Sequence, residues 1–348
     1  MNDPFSPITV NRLRAKNRII RSATNDHLGN TDATISDAQI EMYDTLARNE
    51  IGTIITGHMS VDPDLGKRAD IVQPSIGDDS MIKGLARIPE CVKRYGALAV
   101  AQISHAGSRG IEKVDFNRLS ASEIEQITEW FVDAAERAQK AGFDAVEIHA
   151  AHWYMLAGIL NADLNKRTDC YGGDDRARIK IVTDIVKAVR ERCGDTLGIF
   201  VKINAHNTLK AENDTDLLVS YASHLYDAGI DMLDVSGMSF AKQPRDTSCY
   251  FIEAAAAVKE ALPDLTVALV GGIYSRETIE RTLSVVDMAS MGRTLLTQPD
   301  FIVKMRDEDL LKSRCIRCNK CFEIYKTKFE RCIFGPVNSK LEDTFGDK

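Results

Sequence analysis

The sequence lacks the features that mark membrane proteins and nucleic-acid-binding proteins. No apolar run reaches the roughly 18 residues that a membrane helix needs. Positive charge is in deficit, because 44 Lys and Arg stand against 51 Asp and Glu, whereas a nucleic-acid-binding surface is basic. The segment from Met1 to Asn11 lacks the basic and apolar parts of a secretory signal. We therefore expect a cytoplasmic protein that binds small molecules, with no membrane or nucleic-acid partner.

What the chain does contain is a regular alternation of short apolar runs with longer amphipathic runs. Its 348 residues are 44% hydrophobic and 27% charged, which is ordinary globular usage with ample core. The runs that predict strands are 18–22, 53–56, 98–103, 145–149, 198–203, 232–235, 266–270 and 288–291. The runs that predict helices are 36–48, 80–94, 122–141, 175–192, 215–228, 250–261, 275–284 and 300–307.

Eight successive strand–helix units favour an α/β fold, a (β/α)8 TIM barrel, which takes roughly 250 residues. The strand runs are apolar throughout, as in parallel strands that helices cover on the outside. An open doubly wound sheet is the alternative interpretation. The composition changes near Leu310, so we predict a barrel over residues 1–310 and a short cysteine-rich C-terminal extension over 311–348.

Glycines follow the last two predicted strands. Gly271 and Gly272 come after the seventh, and Gly292 with Arg293 comes after the eighth. Glycine lets backbone N–H groups approach an anion, and arginine adds a charged fork. Because these two loops form the usual phosphate site of a TIM barrel, we expect a phosphate here, although tight turns without a ligand would use the same residues.

Polar side chains also end the third and fifth strands. Gln102 can both donate and accept hydrogen bonds, and Lys202 needs an anionic partner in an apolar barrel mouth. Both suit a heteroaromatic ring that becomes anionic on reduction. Lys202 could instead form a salt bridge to a barrel acid such as Glu147, or a Schiff base with a carbonyl substrate.

The end of the fourth strand carries His149, His152 and Tyr154. Two histidines three residues apart share one face if the chain turns helically there, and together they could hold a carbonyl or phenolate oxygen. Tyr154 could donate a proton. A metal site is the alternative for the two histidines, but no nearby carboxylate completes a common ligand set.

Several segments together resemble the old yellow enzyme family of NAD(P)H:flavin oxidoreductases, over roughly residues 4–310. The resemblance rests on the sequences at 7–9, 16–19, 102–107, 147–154, 165–173, 270–272 and 292–293, of which the strand-four segment is the most specific. It implies FMN at the carboxyl end of the barrel. The positions that the resemblance assigns to FMN are Ser22, Ala23, Thr24, Asn25, Gly57, Gln102, Lys202, Gly271, Gly272, Gly292 and Arg293.

The resemblance also implies roles within that set. Gln102 would pair with the pyrimidine edge of the flavin, and Lys202 would lie near its N1 and O2. His149 and His152 would bind the activating oxygen of the substrate, and Tyr154 would be the proton donor. NAD(P)H would reduce FMN, which would pass hydride to an α,β-unsaturated carbonyl or a similar electron-poor substrate.

Two positions depart from the pattern of the family. Asn25 stands where relatives have Thr or Cys beside the flavin, which excludes a cysteinyl–flavin bond at that position and affects the expected flavin potential. Trp153 stands where many relatives have glycine or a small polar residue. We expect its indole either to narrow the substrate pocket or to pack as a structural residue.

Cysteines are crowded at the end of the chain. Cys315, Cys318, Cys321 and Cys332 follow a C-x2-C-x2-C pattern with one remote cysteine, which is typical of a [4Fe–4S] cluster. Structural zinc and unligated thiols are the alternatives. The spacing resembles that of trimethylamine dehydrogenase and 2,4-dienoyl-CoA reductase, which pass electrons through such a cluster, so we keep an external electron-transfer protein and a homo-oligomer as candidate partners.

Four functions are therefore open at this point. The first is an FMN-dependent ene-reductase that uses NAD(P)H. The second is an amine-oxidising flavin dehydrogenase that passes electrons through a cluster. The third is a Schiff-base lyase at Lys202 acting on a phosphorylated substrate, and the fourth is an inert barrel that carries a metal for protein interactions.

Overall fold

The computed structural model describes residues 2–209, 215–238 and 243–319, together with Cys321 and Cys332. Most of the predicted extension lies outside these residues, so its boundary at residue 310 stays a prediction. The first residues of that extension are attached to the barrel, because Lys312 forms a β-bridge with Ser275.

The strands in this part of the chain are β1 (Ile8–Val10), β2 (Leu13–Ala15), β3 (Ile19–Arg21), β4 (Thr53–Ile55), β5 (Met59–Ser60), β6 (Leu98–Ser104), β7 (Ala145–Ala150), β8 (Gly198–Asn204), β9 (Met232–Ser236), β10 (Thr266–Val270) and β11 (Met288–Met291). The α-helices are α1 (Asp37–Arg48), α2 (Ile82–Leu85), α3 (Arg87–Lys93), α4 (Ala121–Lys140), α5 (Met155–Leu160), α6 (Asp175–Cys193), α7 (Thr215–Ala228), α8 (Ile252–Ala261), α9 (Arg276–Leu283), α10 (Arg293–Thr297) and α11 (Phe301–Asp307). None of these helices is long and apolar enough to cross a membrane.

Eight of the described strands close into a parallel barrel. The order around the barrel is β3, β4, β6, β7, β8, β9, β10 and β11, and β11 pairs with β3 to complete the circle. All eight runs that predicted strands contribute, and the predicted TIM barrel is confirmed. The open doubly wound sheet is wrong, because an open sheet would leave β3 and β11 as unpaired edges.

One predicted helix, residues 80–94, is divided in the structure. A 3-10 turn at Asp79–Met81 precedes α2, and α3 begins two residues after α2 ends. Pro89 has no N–H to donate to the carbonyl of Leu85, so the helical hydrogen-bond ladder is interrupted between α2 and α3. The helix predicted over 122–141 begins one residue earlier, as α4. The reason is again local, because Ser120 and Glu123 form a capping box at its start.

The core has two parts, because strand side chains alternate between the outside and the inside of the barrel. The outer part joins the strands to the surrounding helices. The inner part fills the lower end of the barrel with residues such as Phe200, Met232 and Met288, and Val10 and Ala15 of the β1–β2 hairpin cover it from below. The upper end, where the strands terminate, is therefore the open end.

Candidate active site

A charged layer lies above the apolar floor inside the barrel. Lys202 on β8 is fully buried and contacts Glu147 on β7 at 3.1 Å, and it also donates to the carboxylate of Asp234 on β9. Glu147 in turn accepts a hydrogen bond from the Gln102 amide at 2.6 Å. The barrel register places these residues side by side, since Gln102 pairs with Glu147 and Lys202 pairs with Asp234.

The charges of this layer are set by burial and by the number of partners. Burial alone would lower the pKa of Lys202, but Asp234 and Glu147 together raise it above its ordinary value. Burial raises the pKa of Glu147 to about 7; the Lys202 ammonium acts against this rise, and the neighbouring Asp234 carboxyl adds to it. Lys202 is therefore a protonated ion-pair partner, and the sequence alternative of a salt bridge to Glu147 describes its contacts.

A cavity of about 540 Å³ opens above this layer at the carboxyl ends of the strands. This volume lies within the range of small-molecule and cofactor sites. The predicted site residues that line it are Ser22, Ala23, Thr24, Asn25, Gln102, His149, His152, Tyr154, Gly271, Gly272, Gly292 and Arg293. Lys202 and Gly57 are not among the lining residues, because Lys202 lies beneath the floor and Gly57 packs against the backbone of Thr24 and the carboxylate of Asp26.

One end of the cavity is built from the two glycine turns and an arginine. Gly271 and Gly272 have φ values of 134° and 69°, which side chains other than glycine rarely adopt. The Arg293 guanidinium donates to Asn319 and, at 3.4 Å, to the Tyr250 hydroxyl. No carboxylate lies within ion-pair distance of Arg293 among the residues that the structure describes. This end therefore offers a cation and glycine backbone to an anionic ligand.

The opposite side of the cavity holds three imidazoles and a phenol. The ring centroids of His149 and His152 are 5.1 Å apart, and those of His149 and Tyr154 are 4.9 Å apart. His58, which follows β4, lies 4.7 Å from the Tyr154 ring. The sequence analysis grouped the first three of these residues and missed His58.

A strained backbone turn, rather than a helical one, brings the two histidines together. His152 has a φ of 62°, which is uncommon for a residue with a side chain. Asn204 on β8 holds this turn, because its side-chain oxygen accepts from the His152 N–H at 2.7 Å. The imidazole ring of His152 is held as well, because its Nε2 lies 3.0 Å from Oγ of Ser236. Either atom can donate the hydrogen bond.

All three imidazoles are neutral at pH 7. Burial lowers the pKa of His58 to about 4 and that of His152 to about 3, and it moves the pKa of His149 well below its ordinary value. Within the described residues, the buried Nδ1 of His149 has no hydrogen-bond partner. A neutral imidazole carries one N–H donor, so this side of the cavity can hydrogen-bond a carbonyl oxygen without placing a formal charge beside it.

The cysteine segment touches the same cavity. Cys315 and Cys321 line it, close to Arg293. Burial raises the pKa of Cys321 to about 12, with Arg293 acting against this and the other three thiols adding to it. In the described part of the chain, no group of three or more His, Cys, Asp or Glu side chains has the arrangement that could hold a metal ion. The described residues therefore do not show the four cysteines in a ligand arrangement, and the cluster that their spacing predicts stays a prediction.

A second, smaller cavity adjoins the first. It has a volume of about 240 Å³ and shares Arg109, His152, Trp153 and Tyr154 with the main cavity. Trp153 is 38% exposed, and the Arg109 guanidinium lies 5.6 Å from the centroid of its ring system. The indole therefore lies between the two spaces, and its effect on the pocket stays a prediction.

Comparison with known proteins adds independent information. The NADH:flavin oxidoreductase / NADH oxidase family matches residues 3–118 and 109–311. The chain is 28% identical over 364 aligned positions to an NADH oxidase from Thermoanaerobacter brockii, with 96% of this chain and 56% of that protein covered. It is 29% identical to an NADPH dehydrogenase from Bacillus pumilus, with 85% of this chain and 92% of that protein covered.

Solved structures show the same fold. A 6-hydroxypseudooxynicotine amine oxidase from Pseudomonas geniculata superposes with a TM-score of 0.83 at 24% identity, covering 100% of this chain and 56% of that protein. The chain thus spans about half the length of the NADH oxidase and of this amine oxidase.

Proposed function

The chain belongs to the NADH:flavin oxidoreductase / NADH oxidase family, and from this membership we propose an FMN-dependent oxidoreductase. It would use NAD(P)H to reduce an α,β-unsaturated carbonyl or a similarly electron-poor small molecule. The observation that carries the proposal is the cavity itself, which has an anion-binding end at Arg293 and a neutral imidazole and phenol side at His149 and Tyr154.

The residues present fit FMN. Arg293, which has no carboxylate partner among the described residues, and the turns at Gly271 and Gly272 would hold the phosphate. The backbone at 22–25 and the Gln102 amide would hold the ring edges. When bound, FMN supplies reversible hydride chemistry between NAD(P)H and the substrate.

The protein's part is to orient the substrate and to stabilise charge. His149 and His152 would donate N–H groups to the carbonyl oxygen, where negative charge develops during reduction, and fixed donors of this kind stabilise a transition state strongly. Tyr154 would then deliver a proton to the neighbouring carbon. The closeness of the three rings supports this division of roles.

The family resemblance implies that Lys202 lies near N1 and O2 of the flavin, whereas this proposal gives Lys202 an indirect role. It would act on the cofactor site indirectly, by holding the Glu147 carboxylate that accepts from the Gln102 amide. A Schiff base at Lys202 is disfavoured, because that chemistry needs a deprotonated amine open to substrate, whereas this ammonium is buried and doubly paired.

A visible spectrum of the purified protein tests the proposal. We expect a flavin spectrum that bleaches on anaerobic addition of NADH or NADPH and returns on addition of an enone. FMN should be released on denaturation. A colourless protein that releases no flavin, and that does not take up FMN when it is supplied, would contradict the proposal.

We also propose Cys315, Cys318, Cys321 and Cys332 as ligands of an iron–sulfur cluster. An all-thiolate set with this spacing suits such a cluster, and two of the cysteines line the proposed cofactor cavity. No disulfide links any of the eight cysteines, all of which the structure describes, and this supports a reducing compartment such as the cytoplasm. A cluster beside the flavin would favour an external electron-transfer protein as partner.

Metal and sulfide analysis tests this second proposal. Iron and inorganic sulfide near four atoms of each per chain would support a cluster. Zinc without iron, or no metal in anaerobically purified protein, would exclude it. Bleaching by an amine instead of by NAD(P)H would favour the amine-oxidising alternative.

A further inference from the structure

Two buried side chains, His58 and Gln73, lie in sequence behind the proposed proton donor Tyr154. Nε2 of His58 lies 3.2 Å from the Tyr154 hydroxyl oxygen. On the other side of the ring, Nδ1 of His58 lies 2.8 Å from Nε2 of Gln73. Which ring nitrogen carries the hydrogen decides whether His58 donates to Tyr154 or accepts from it.

The orientation of the Gln73 amide is fixed by two backbone groups. Its oxygen lies 2.6 Å from the N–H of Ala69, which can only donate. Its nitrogen lies 3.1 Å from the carbonyl oxygen of His58, which can only accept. Exchanging the two amide atoms would place donor against donor and acceptor against acceptor, so the nitrogen must be the atom that faces the imidazole.

The tautomer of His58 follows from this orientation. Because the Gln73 nitrogen is a donor, Nδ1 of His58 must accept and carries no hydrogen. The single hydrogen of the neutral ring is then on Nε2, directed at Tyr154. Burial keeps the ring neutral by lowering its pKa to about 4, with His27 acting in the same direction and Asp70 and Asp26 acting against it.

We propose that His58 is a positioning residue that makes Tyr154 a one-directional proton donor. The Nε2–H group of His58 donates to the phenol oxygen, so the phenol cannot donate its own hydrogen to His58. The phenol hydrogen is therefore directed away from His58, and His58 stabilises the phenolate that forms when this hydrogen passes to the substrate. The proposal rests on the proposed function, since it assumes that Tyr154 protonates the substrate.

The proton step balances without a further reactant. The Tyr154 O–H bond breaks and its electron pair stays on the phenol oxygen. The electron pair of the reduced substrate's enolate forms the new C–H bond, and the carbonyl group is restored at the oxygen that faces His149 and His152. The hydrogen on Nε2 of His58 stays in place throughout, and solvent returns a proton to the phenolate.

Nitrogen NMR of the holoenzyme tests the tautomer directly. The chain has seven histidines, so ¹⁵N-histidine labelling gives a tractable spectrum, and loss of one signal set in His58→Gln assigns His58. His105 is an internal reference, because its Nδ1 accepts from the Gly107 N–H at 3.0 Å. We expect hydrogen on Nε2 alone at pH 7. Hydrogen on Nδ1, whether in the neutral ring or in an imidazolium, would overturn the proposal.

A matched pair of variants tests the effect on Tyr154. Glutamine places an amide near the position of Nε2, whereas asparagine places one near Nδ1, so His58→Gln can keep the donor and His58→Asn cannot. We expect His58→Asn to slow substrate protonation about 10- to 100-fold, the value of one hydrogen bond to a developing charge. The pH midpoint of Tyr154 ionisation, read by ¹³C-tyrosine NMR, should rise by about 1 to 2 units. His58→Gln should restore most of both.

The control separates a positioning role from a structural one. Gln139→Met removes a part-buried amide at the other end of the barrel, and we expect it to change neither readout. If His58→Asn leaves both the rate of substrate protonation and the pH midpoint of Tyr154 ionisation unchanged, the proposal is wrong. Failure of the proposed function looks different, since Tyr154→Phe would then keep full activity while the NMR tautomer of His58 is as stated.

Discussion

At the residue scale, the charge of a buried basic side chain depends on its neighbours. Burial lowers the pKa of the His149 and His152 imidazoles well below its ordinary value, so both are neutral donors. Lys202 is buried equally deeply but lies between Glu147 and Asp234, so it keeps its charge. The two imidazoles can therefore act on a ligand, whereas the Lys202 ammonium is held by its two carboxyl partners.

Tyr154→Phe tests the proton donor. The phenyl ring keeps the packing against His58 and His149 but has no proton to deliver. We expect reduction of an enone to slow about 10²- to 10⁴-fold, the usual contribution of a positioned acid, while flavin reduction by NAD(P)H is unchanged. Stopped-flow measurement of the two half-reactions separates these effects. Equal rates for the variant and the parent in the enone half-reaction would exclude the role.

Lys202→Met tests the charged layer. Removing the ammonium leaves the carboxyl groups of Glu147 and Asp234 buried without their cation, which costs about 3 to 5 kcal/mol in comparable sites. Urea unfolding measures the loss. Lys180→Met is the control, because its ion pair with Asp184 is substantially exposed and such pairs contribute roughly 0 to 1 kcal/mol. Equal losses in the two variants would contradict this account of the layer.

At the scale of elements, the site is built where strands end. The barrel brings the loops after β10 and β11 to one end of the cavity and the ends of β4 and β7 to another side. Several loops each contribute a part of the lining, so no single element contains the site. The β1–β2 hairpin covers the opposite end and leaves the carboxyl ends of the strands as the accessible face.

Arg293→Leu tests the phosphate end. Loss of a charge-assisted contact to phosphate should weaken FMN binding to the apoprotein about 10- to 100-fold. Riboflavin, which lacks the phosphate, is the matched ligand and should bind the variant and the parent equally. Flavin fluorescence quenching measures both. A parallel loss for riboflavin would mean that Arg293 acts by packing, through Asn319 and Tyr250.

Trp153→Ala tests the partition between the two cavities. The indole lines both, so its removal should join them and admit larger substrates. We expect kcat/KM for an enone with a bulky substituent to rise about 10-fold relative to a small cyclic enone, the scale of one filled apolar pocket. Trp130→Phe, on α4 and stacked on His105, is the control. An unchanged ratio in Trp153→Ala would assign the indole to packing alone.

At the scale of the whole molecule, the barrel brings His58, His149 and His152 into one region. Their lowered pKa values make the free energy of unfolding depend on pH. Folded-state pKa values below the unfolded value of about 6.5 mean that the unfolded chain binds protons first. The stability that neutral His58, His149 and His152 provide is therefore present above about pH 6.5 and is lost as pH falls toward 4.

We expect protonation of His58 and of His152 each to lower the unfolding free energy by about 2 kcal/mol between pH 7 and pH 5. Glu147 has the opposite sign, because its pKa is raised in the folded protein, so variants are needed to isolate the effect. His152→Asn should flatten the acid loss measured by urea unfolding with saturating FMN. An identical pH profile for parent and His152→Asn would contradict the linkage.

The sequence by itself determined the number and order of the eight barrel strands, most of the helices between them, and the residues that follow each strand. These features depend on local periodicity and on linear order, so the glycine turns and the His149–Tyr154 segment could be identified without coordinates. A further local signal was missed. Segments 100–104, 145–149, 200–204 and 232–236 all place polar residues at their third and fifth positions, which marks the inward-facing sites of the barrel.

Only the tertiary structure decided which of those polar residues meet. Strand register sets the pairs of Gln102 with Glu147 and of Lys202 with Asp234, and a shift of register would exchange every partner. The pairing of β4 with β6 and of β6 with β7 brings His58 to Tyr154 across 96 positions of sequence. Contacts between distant strands depend on closure and register together, which no local pattern encodes, so the residue behind the proposed proton donor could be found only in the folded molecule.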